Sequence, residues 1–180
     1  MADTMLQTPR AATVTIRSYR PTDHRDCRQL WAELAGEHQA LYDDDPGPEN
    51  GDPGAAFEEY LTRLDLSGMW VADDAGAGVV GLVGLILHGR GGEVEPVVVT
   101  EARRGEGIGR ALLGHVAGEA ARRGLRQLTI SPASRNVDAI RCLHAAGYDA
   151  LASVTLAIDL NARGSGWRDG IDLHELRFKY

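Results

Sequence analysis

Residues 13–19, Thr-Val-Thr-Ile-Arg-Ser-Tyr, alternate apolar with polar and are rich in β-branched side chains, which predicts a strand. From 22 to 38 the apolar residues Cys27, Leu30, Trp31 and Leu34 recur at helical spacing, with Thr22 or Asp23 as N-cap. Residues 41–54 are rich in Asp, Gly and Pro and read as a loop, and helical spacing resumes over 55–66. Two strands follow at 68–74 and 79–89. The hairpin-like Asp-Asp-Ala-Gly-Ala-Gly between them predicts antiparallel pairing. A further strand runs over 93–100, a glycine-rich turn over 103–110 and a helix from there to about Arg123, stopped by Gly124. Strand 126–133, helix 136–147, strand 151–160, loop 161–170 and a last strand 171–180 complete the pattern. The order β-α-α-β-β-β-α-β-α-β-β predicts one α/β (α+β) domain over 13–180, a mixed sheet with helices against it, behind a loose tail at 1–12.

At 180 residues and 43% hydrophobic, the chain suits one domain with a sizeable core. Its net charge of −7 argues against nucleic acid or an anionic membrane as partner, permits a cationic substrate, and is also what many cytosolic proteins carry. Cys27 and Cys142 belong to no CxxC pair or His/Cys cluster, so no metal site is expected, and two free thiols in a reducing compartment are. The N-terminal residues lack a continuous apolar stretch of the secretory kind, and no apolar run reaches the roughly 18 residues a membrane span needs. The expectation is a soluble cytoplasmic protein.

The candidate chemistry begins at Arg-Arg-Gly-Glu-Gly-Ile-Gly-Arg, 103–110. A turn that opens a helix presents N–H groups with no partner inside the helix, at the positive end of the macrodipole. Glycines at 105, 107 and 109 permit positive φ and a close ligand approach. Such a turn favours a phosphate-like anion, and Arg103, Arg104 and Arg110 add charged donors. A Walker A loop needs Gly-Lys-Ser/Thr, which is absent. The dinucleotide pattern G-x-G-x-x-G does not fit G-x-G-x-G, and no acidic residue ends a second strand about twenty residues on. The alternative is that the glycines serve only a tight strand-to-helix connection, which leaves the arginines unexplained.

Arg104-Gly105-Glu106-Gly107-Ile108-Gly109 resembles the R/Q-x-x-G-x-G/A acetyl-CoA signature of the GNAT acetyltransferase superfamily. Asn136, Ala139, Gly147 and Tyr148 fit that family's later N-x-x-A-x-x-x-Y-x-x-x-G-F/Y motif, and the element order over 13–160 matches too. The resemblance implies a central sheet of about seven strands flanked by about four helices, with a splayed strand pair that admits acetyl-CoA. It implies that the backbone of Arg104, Gly105, Glu106, Gly107, Ile108 and Gly109 holds the pyrophosphate, with Arg103 and Arg110 nearby. Val97, Val98 and Val99 would pair with the pantetheine arm, and Asn136 would lie near it. Asn136 also reads as a plain N-cap. Pro96, which lacks an N–H, suits a bulge in the splayed strand.

The family's tyrosine that protonates the departing thiolate aligns with Leu143, which has no proton to give; its spacing with Val137, Ile140 and Ala146 makes it core. His144 beside it reads as solvent-facing. An acceptor ammonium, with a pKa near 10, must lose a proton before it attacks. Glu93 and Glu95 are the candidate bases: two apart on one strand, they share a face, and the same alternation adds Val97 and Val99 to it. Base-bearing relatives place a glutamate at Glu93. Proximity of the two carboxylates would raise one pKa. The alternatives are exposed strand residues, or a charge partner for the amine. His38, Tyr42, Asp43 and Asp45 are candidates to line the acceptor site; the acidic loop reads equally as a solvated one. The function implied is transfer of acetyl from acetyl-CoA to a small-molecule or protein amine. A non-catalytic acyl-CoA-binding module and an interaction protein that keeps only the fold are the alternatives. The final strand is a candidate to pair across a homodimer.

Overall fold

The alternation at 13–19 forms β1 (Val14–Ser18), and the helical spacing that follows forms α1 (His24–Tyr42) behind a short 3-10 turn at Pro21–Asp23. The computed structural model describes residues 14–42, 52–158, 160 and 166–180. The expected tail at 1–12 and most of the acidic loop, including Asp43 and Asp45, lie outside the described residues. Helix α2 (Ala55–Arg63) buries Phe57 and Tyr60 one turn apart. Strands β2 (Met69–Asp74), β3 (Gly78–His88) and β4 (Gly91–Val99) follow as an antiparallel meander. Helix α3 (Ile108–Arg122), strand β5 (Gln127–Thr129), helix α4 (Val137–Ala145) and a hairpin of β6 (Asp169–Leu173) and β7 (Leu176–Lys179) complete the described elements.

The sheet order is β1-β2-β3-β4-β5, antiparallel except for the parallel β4–β5 pair. Helices α1 and α2 cover one face, burying Cys27, Leu30, Phe57 and Tyr60 against Met69, Val71, Leu82 and Val98. Helix α3 covers the other. Its Ile108, Leu112, Leu113, Val116 and Ala120 form one stripe against Trp70, Val83, Leu85 and Val94. Each such large aliphatic side chain contributes about 1.5–3 kcal/mol by leaving water. The thiol of Cys27 is pushed up to about 12 by burial, and both cysteines are free, Cys142 being exposed. No helix among the described residues is long and apolar enough to cross a membrane.

The pattern misleads at three places. The seven strands divide into a five-stranded sheet and a separate two-stranded one. The single strand expected over 171–180 is instead a hairpin, turned at His174 and Glu175 with φ of +50° and +65°, a left-handed pair that neither residue type announces. No strand forms among the described residues of 151–160, where Leu151, Val154, Leu156, Ile158 and Leu160 are exposed. Alternation supplies a two-sided strand, but a strand also needs a neighbouring edge, which no local pattern encodes. On α4 only Leu143 is buried. Val137 and Ile140, expected beside it in the core, are exposed.

Candidate functional site

The site is built where β4 leaves β5. The two strands pair only at Gly91↔Gln127, Gly92↔Leu128 and Glu93↔Thr129, while β4 continues to Val99. On its other side β4 stays on β3 as Val97↔Val83, Val98↔Leu82 and Val99↔Gly81. The Thr100 N–H donates to Val80 O at 3.0 Å, so Thr100 and, by alternation, Val98 point their main-chain groups at β3. Val97 and Val99 therefore point theirs at the open edge, where Val99 O accepts from Arg104 Nε at 2.9 Å. The result is a strand edge with unmatched N–H groups, running straight into the glycine turn.

That turn ends in Gly107, which caps α3 at φ +83°; Gly105 stands at +79°. No side chain caps the helix, so the N–H groups of its first turn have no partner within it. A Cβ added at Gly105 or Gly107 would meet no heavy atom within 4 Å, so the chain leaves that approach clear. The three arginines divide their work. Arg103 donates to Asp74 Oδ2 at 3.2 Å and to Glu106 at 3.0 Å, and Arg104 to Glu37 of α1 and to Val99 O. Both hold the turn in place. Arg110, exposed on the first turn of α3, makes no ion pair with a described residue. Asn136 caps α4 by accepting from Ala139 N at 3.0 Å, so the N-cap reading holds for its oxygen and its amide nitrogen is left over.

The expected grouping of Glu93, Glu95, Val97 and Val99 on one face is corrected by a β-bulge. The register shifts between Val83 and Leu85, so Glu95 and Pro96 together face Gly84, and the Glu95–Pro96 peptide is cis. The extra residue reverses the alternation. Val94, Val97 and Val99 pack on the α3 face, whereas Val98 and the Glu93 partner Ile86 pack on the α1/α2 face. Glu93 and Glu95 do share a face, the α2 one, but each has its own partner. Glu95 Oε1 accepts from Arg63 Nη2 at 2.9 Å, and Glu93 Oε2 lies 3.4 Å from His88 Nε2.

Helix α1 borders the groove. Its Glu33 accepts from Thr100 Oγ1 at 3.2 Å and from Glu101 N at 3.3 Å. The rings of His38 and Tyr42 lie 5.2 Å apart on its last turns. Beyond them, buried Arg135 donates to Leu41 O at 3.2 Å and Gly166 O at 2.6 Å and lies 4.9 Å over the Tyr42 ring. The C-terminal half of α1 thus reaches from the glycine turn to the start of α4. Sequence reasoning missed Arg63, His88, Tyr60 and Arg135. Each acts on residues more than three positions away in sequence, and none carries a local motif. His144 is exposed, as its spacing indicates, and Leu143 is core.

The sequence matches the profile of the Acetyltransferase (GNAT) family over residues 28–148, more than half of the chain. No curated protein matches it. Among solved structures, an acetyltransferase of the GNAT family from Staphylococcus aureus Mu50 is 16% identical, with a TM-score of 0.60 over 75% of this chain and 84% of that one. The aminoglycoside N-acetyltransferase AAC(6')-Iy, in complex with CoA, is 17% identical, with a TM-score of 0.60 over 86% of this chain and 99% of that one. The ribosomal-protein-S18-alanine N-acetyltransferase from Escherichia coli is 15% identical, with a TM-score of 0.55 over 75% and 77%. These likenesses establish the fold.

Proposed function

The chain belongs to the GNAT acetyltransferase family, and from that premise we propose that it transfers an acetyl group from acetyl-CoA to a primary amine. The acceptor is a small cationic amine of the aminoglycoside or polyamine kind, or a protein amine. The observation that carries this reading is the continuity of the open β4 edge with the uncapped N-terminus of α3. An extended arm that ends in phosphates fits both halves at once. The solved relative in complex with CoA supports the donor, and the acidic character of the chain, −7 overall, supports a cationic acceptor.

The first-turn N–H groups of α3 and the guanidinium of Arg110 would hold the pyrophosphate. The edge at Val97–Val99 would pair with the arm as an added strand, Asn136 facing it from α4. Bound acetyl-CoA supplies the acetyl thioester. Glu93 accepts a proton from the acceptor ammonium, directly or through water, and His88 beside it offers that proton an exit. The neutral nitrogen attacks the carbonyl carbon; a C–N bond forms, the C–S bond breaks, and the second proton the nitrogen must lose passes to water or to the departed thiolate. Unmatched strand N–H groups polarise the carbonyl oxygen meanwhile. Leu143 offers no proton, and none is required, because a thiol of pKa about 8.5 leaves as its anion. Glu95, paired with Arg63, anchors rather than deprotonates.

Calorimetry with acetyl-CoA, beside Gly107→Glu and with ATP as a control ligand, tests the donor site. A panel of amines with Glu93→Gln and Glu95→Gln then tests the chemistry. Binding without turnover of any amine would support the non-catalytic acyl-CoA module instead. No binding by the folded wild type would sink the reading of the groove.

A further inference from the structure

We propose that Tyr60 is a positioning residue for the donor groove. Its hydroxyl grips the main-chain carbonyl of Glu95 and thereby keeps the Val97–Val99 edge of β4 from continuing the β5 ladder. The meaning of that edge rests on the function proposed above; the grip itself does not.

Tyr60 lies on α2, and its side chain is fully buried. A buried phenol must find a partner for its O–H, and this one donates to Glu95 O. That carbonyl belongs to the bulge, where Glu95 and Pro96 face the single residue Gly84 between the pairs Val83↔Val97 and Leu85↔Val94. A bulge leaves main-chain groups without their ladder partners. The helix on the opposite layer supplies the missing donor. Gly84 makes the reach possible: a Cβ there would overlap both the Tyr60 hydroxyl and the Glu95 carbonyl. Arg63, one turn further along α2, takes the carboxylate of the same residue at 2.9 Å, and its guanidinium lies 5.8 Å from the Tyr60 ring. Helix α2 therefore holds Glu95 at two points, main chain and side chain.

The consequence falls on the strand. With the Glu95 carbonyl drawn toward α2 and no N–H at Pro96, β4 lacks two of the main-chain groups that a continued ladder with β5 would use at 95 and 96. Pairing with β5 stops at Glu93↔Thr129, and the next outward-facing groups are those of Val97 and Val99. A tyrosine that merely filled the core would need no oxygen. Trp31, 4.7 Å away ring to ring, and Phe57 would pack a phenylalanine equally well.

The test is Tyr60→Phe, read by backbone hydrogen exchange and by acetyl-CoA kinetics, with Tyr60→Met as the second variant because it also removes the hydroxyl and fills the space with an adaptable apolar chain. The expected result is a folded protein in which amides at Val94–Val99 change exchange rate by about tenfold, the worth of one hydrogen bond, while those of β2 do not. The KM for acetyl-CoA rises by about as much, kcat and the KM for the amine staying near wild type. Unchanged exchange in β4 of the folded variant overturns the proposal, as does an equal change in β2 and β4, which would mark a plain packing role. Should Tyr60→Phe not fold, Tyr60→Met is read the same way. Wild type that binds no acetyl-CoA overturns the cofactor reading alone, and the exchange rates still decide the grip.

Discussion

Glu93 and Glu95 look interchangeable in the sequence, two residues apart on one strand, and their partners separate them. Glu95 is neutralised by Arg63, and Glu93 faces His88. Glu93→Gln should lower kcat by about a hundredfold or more, the ordinary loss on removing a general base, with the KM for acetyl-CoA unchanged. Glu95→Gln should leave kcat within a few-fold, since its carboxylate acts on a half-exposed arginine. A steady-state comparison of the two variants with one amine decides between them, and equal losses would return the base to an unassigned pair. Leu143 makes a second case. It is 6% exposed and packs in the α3-side core. Leu143→Ala should cost about 2–4 kcal/mol in urea unfolding through the cavity it leaves. Leu143 was placed in the core by a stripe with Val137 and Ile140 that the structure leaves exposed, so the residue was read correctly and its neighbours were not. That Glu95 belongs to Arg63 was not legible, because the pair is 32 residues apart and meets only once α2 lies on the sheet.

Elements were legible where their chemistry is local. The glycine turn is such a place: Gly107 holds φ +83° at the cap of α3, and glycine is the residue that reaches that conformation without a Cβ penalty. Gly107→Ala should therefore cost about 1–2 kcal/mol of strain and weaken acetyl-CoA binding only modestly. Gly107→Glu adds a charge where phosphates are to sit and should remove binding at any practical concentration. Calorimetry on the two variants separates strain from charge, and equal affinities would mean that no anion is held there. Strand β4 was legible as a strand, and Pro96 as a mark of its bulge. The faces of β4 were not, because a period of two assumes that no residue has been inserted, and the bulge inserts one at Glu95–Pro96. The segment 151–160 fails for the converse reason. Its alternation is sound, but no partner edge takes it up among the described residues.

Across the whole molecule, two buried carboxylates join elements far apart in the chain. Asp23 accepts from Arg17 Nη1 at 2.7 Å and Nη2 at 2.9 Å and from Arg20 N at 2.8 Å. Arg17 also reaches Asp73 at 2.7 Å, so β1, β2 and the entry to α1 are tied together. Asp74 holds the β2–β3 turn through Gly76 N and Ala77 N and the glycine turn through Arg103. Hydrogen bonds from Arg17 hold the Asp23 carboxyl below its ordinary 3.8, and those from Gly76 N and then Arg103 do the same for Asp74. A folded-state pKa below the unfolded one stabilises the fold at every pH above the unfolded value. That stability is lost as pH falls through the folded value, when the native carboxylate too must take a proton. Unfolding free energy should accordingly be insensitive to these two groups between neutrality and about pH 5 and should decline below about pH 4. Asp23→Asn should remove about 2 kcal/mol at pH 7, where a charged acceptor is replaced, and should flatten the acid limb, since the variant has one proton fewer to gain. Urea titrations from pH 7 to pH 3 on both proteins measure this. Parallel acid limbs would mean that Asp23 titrates alike in folded and unfolded chains, and the tie between β1 and α1 would then rest on packing alone.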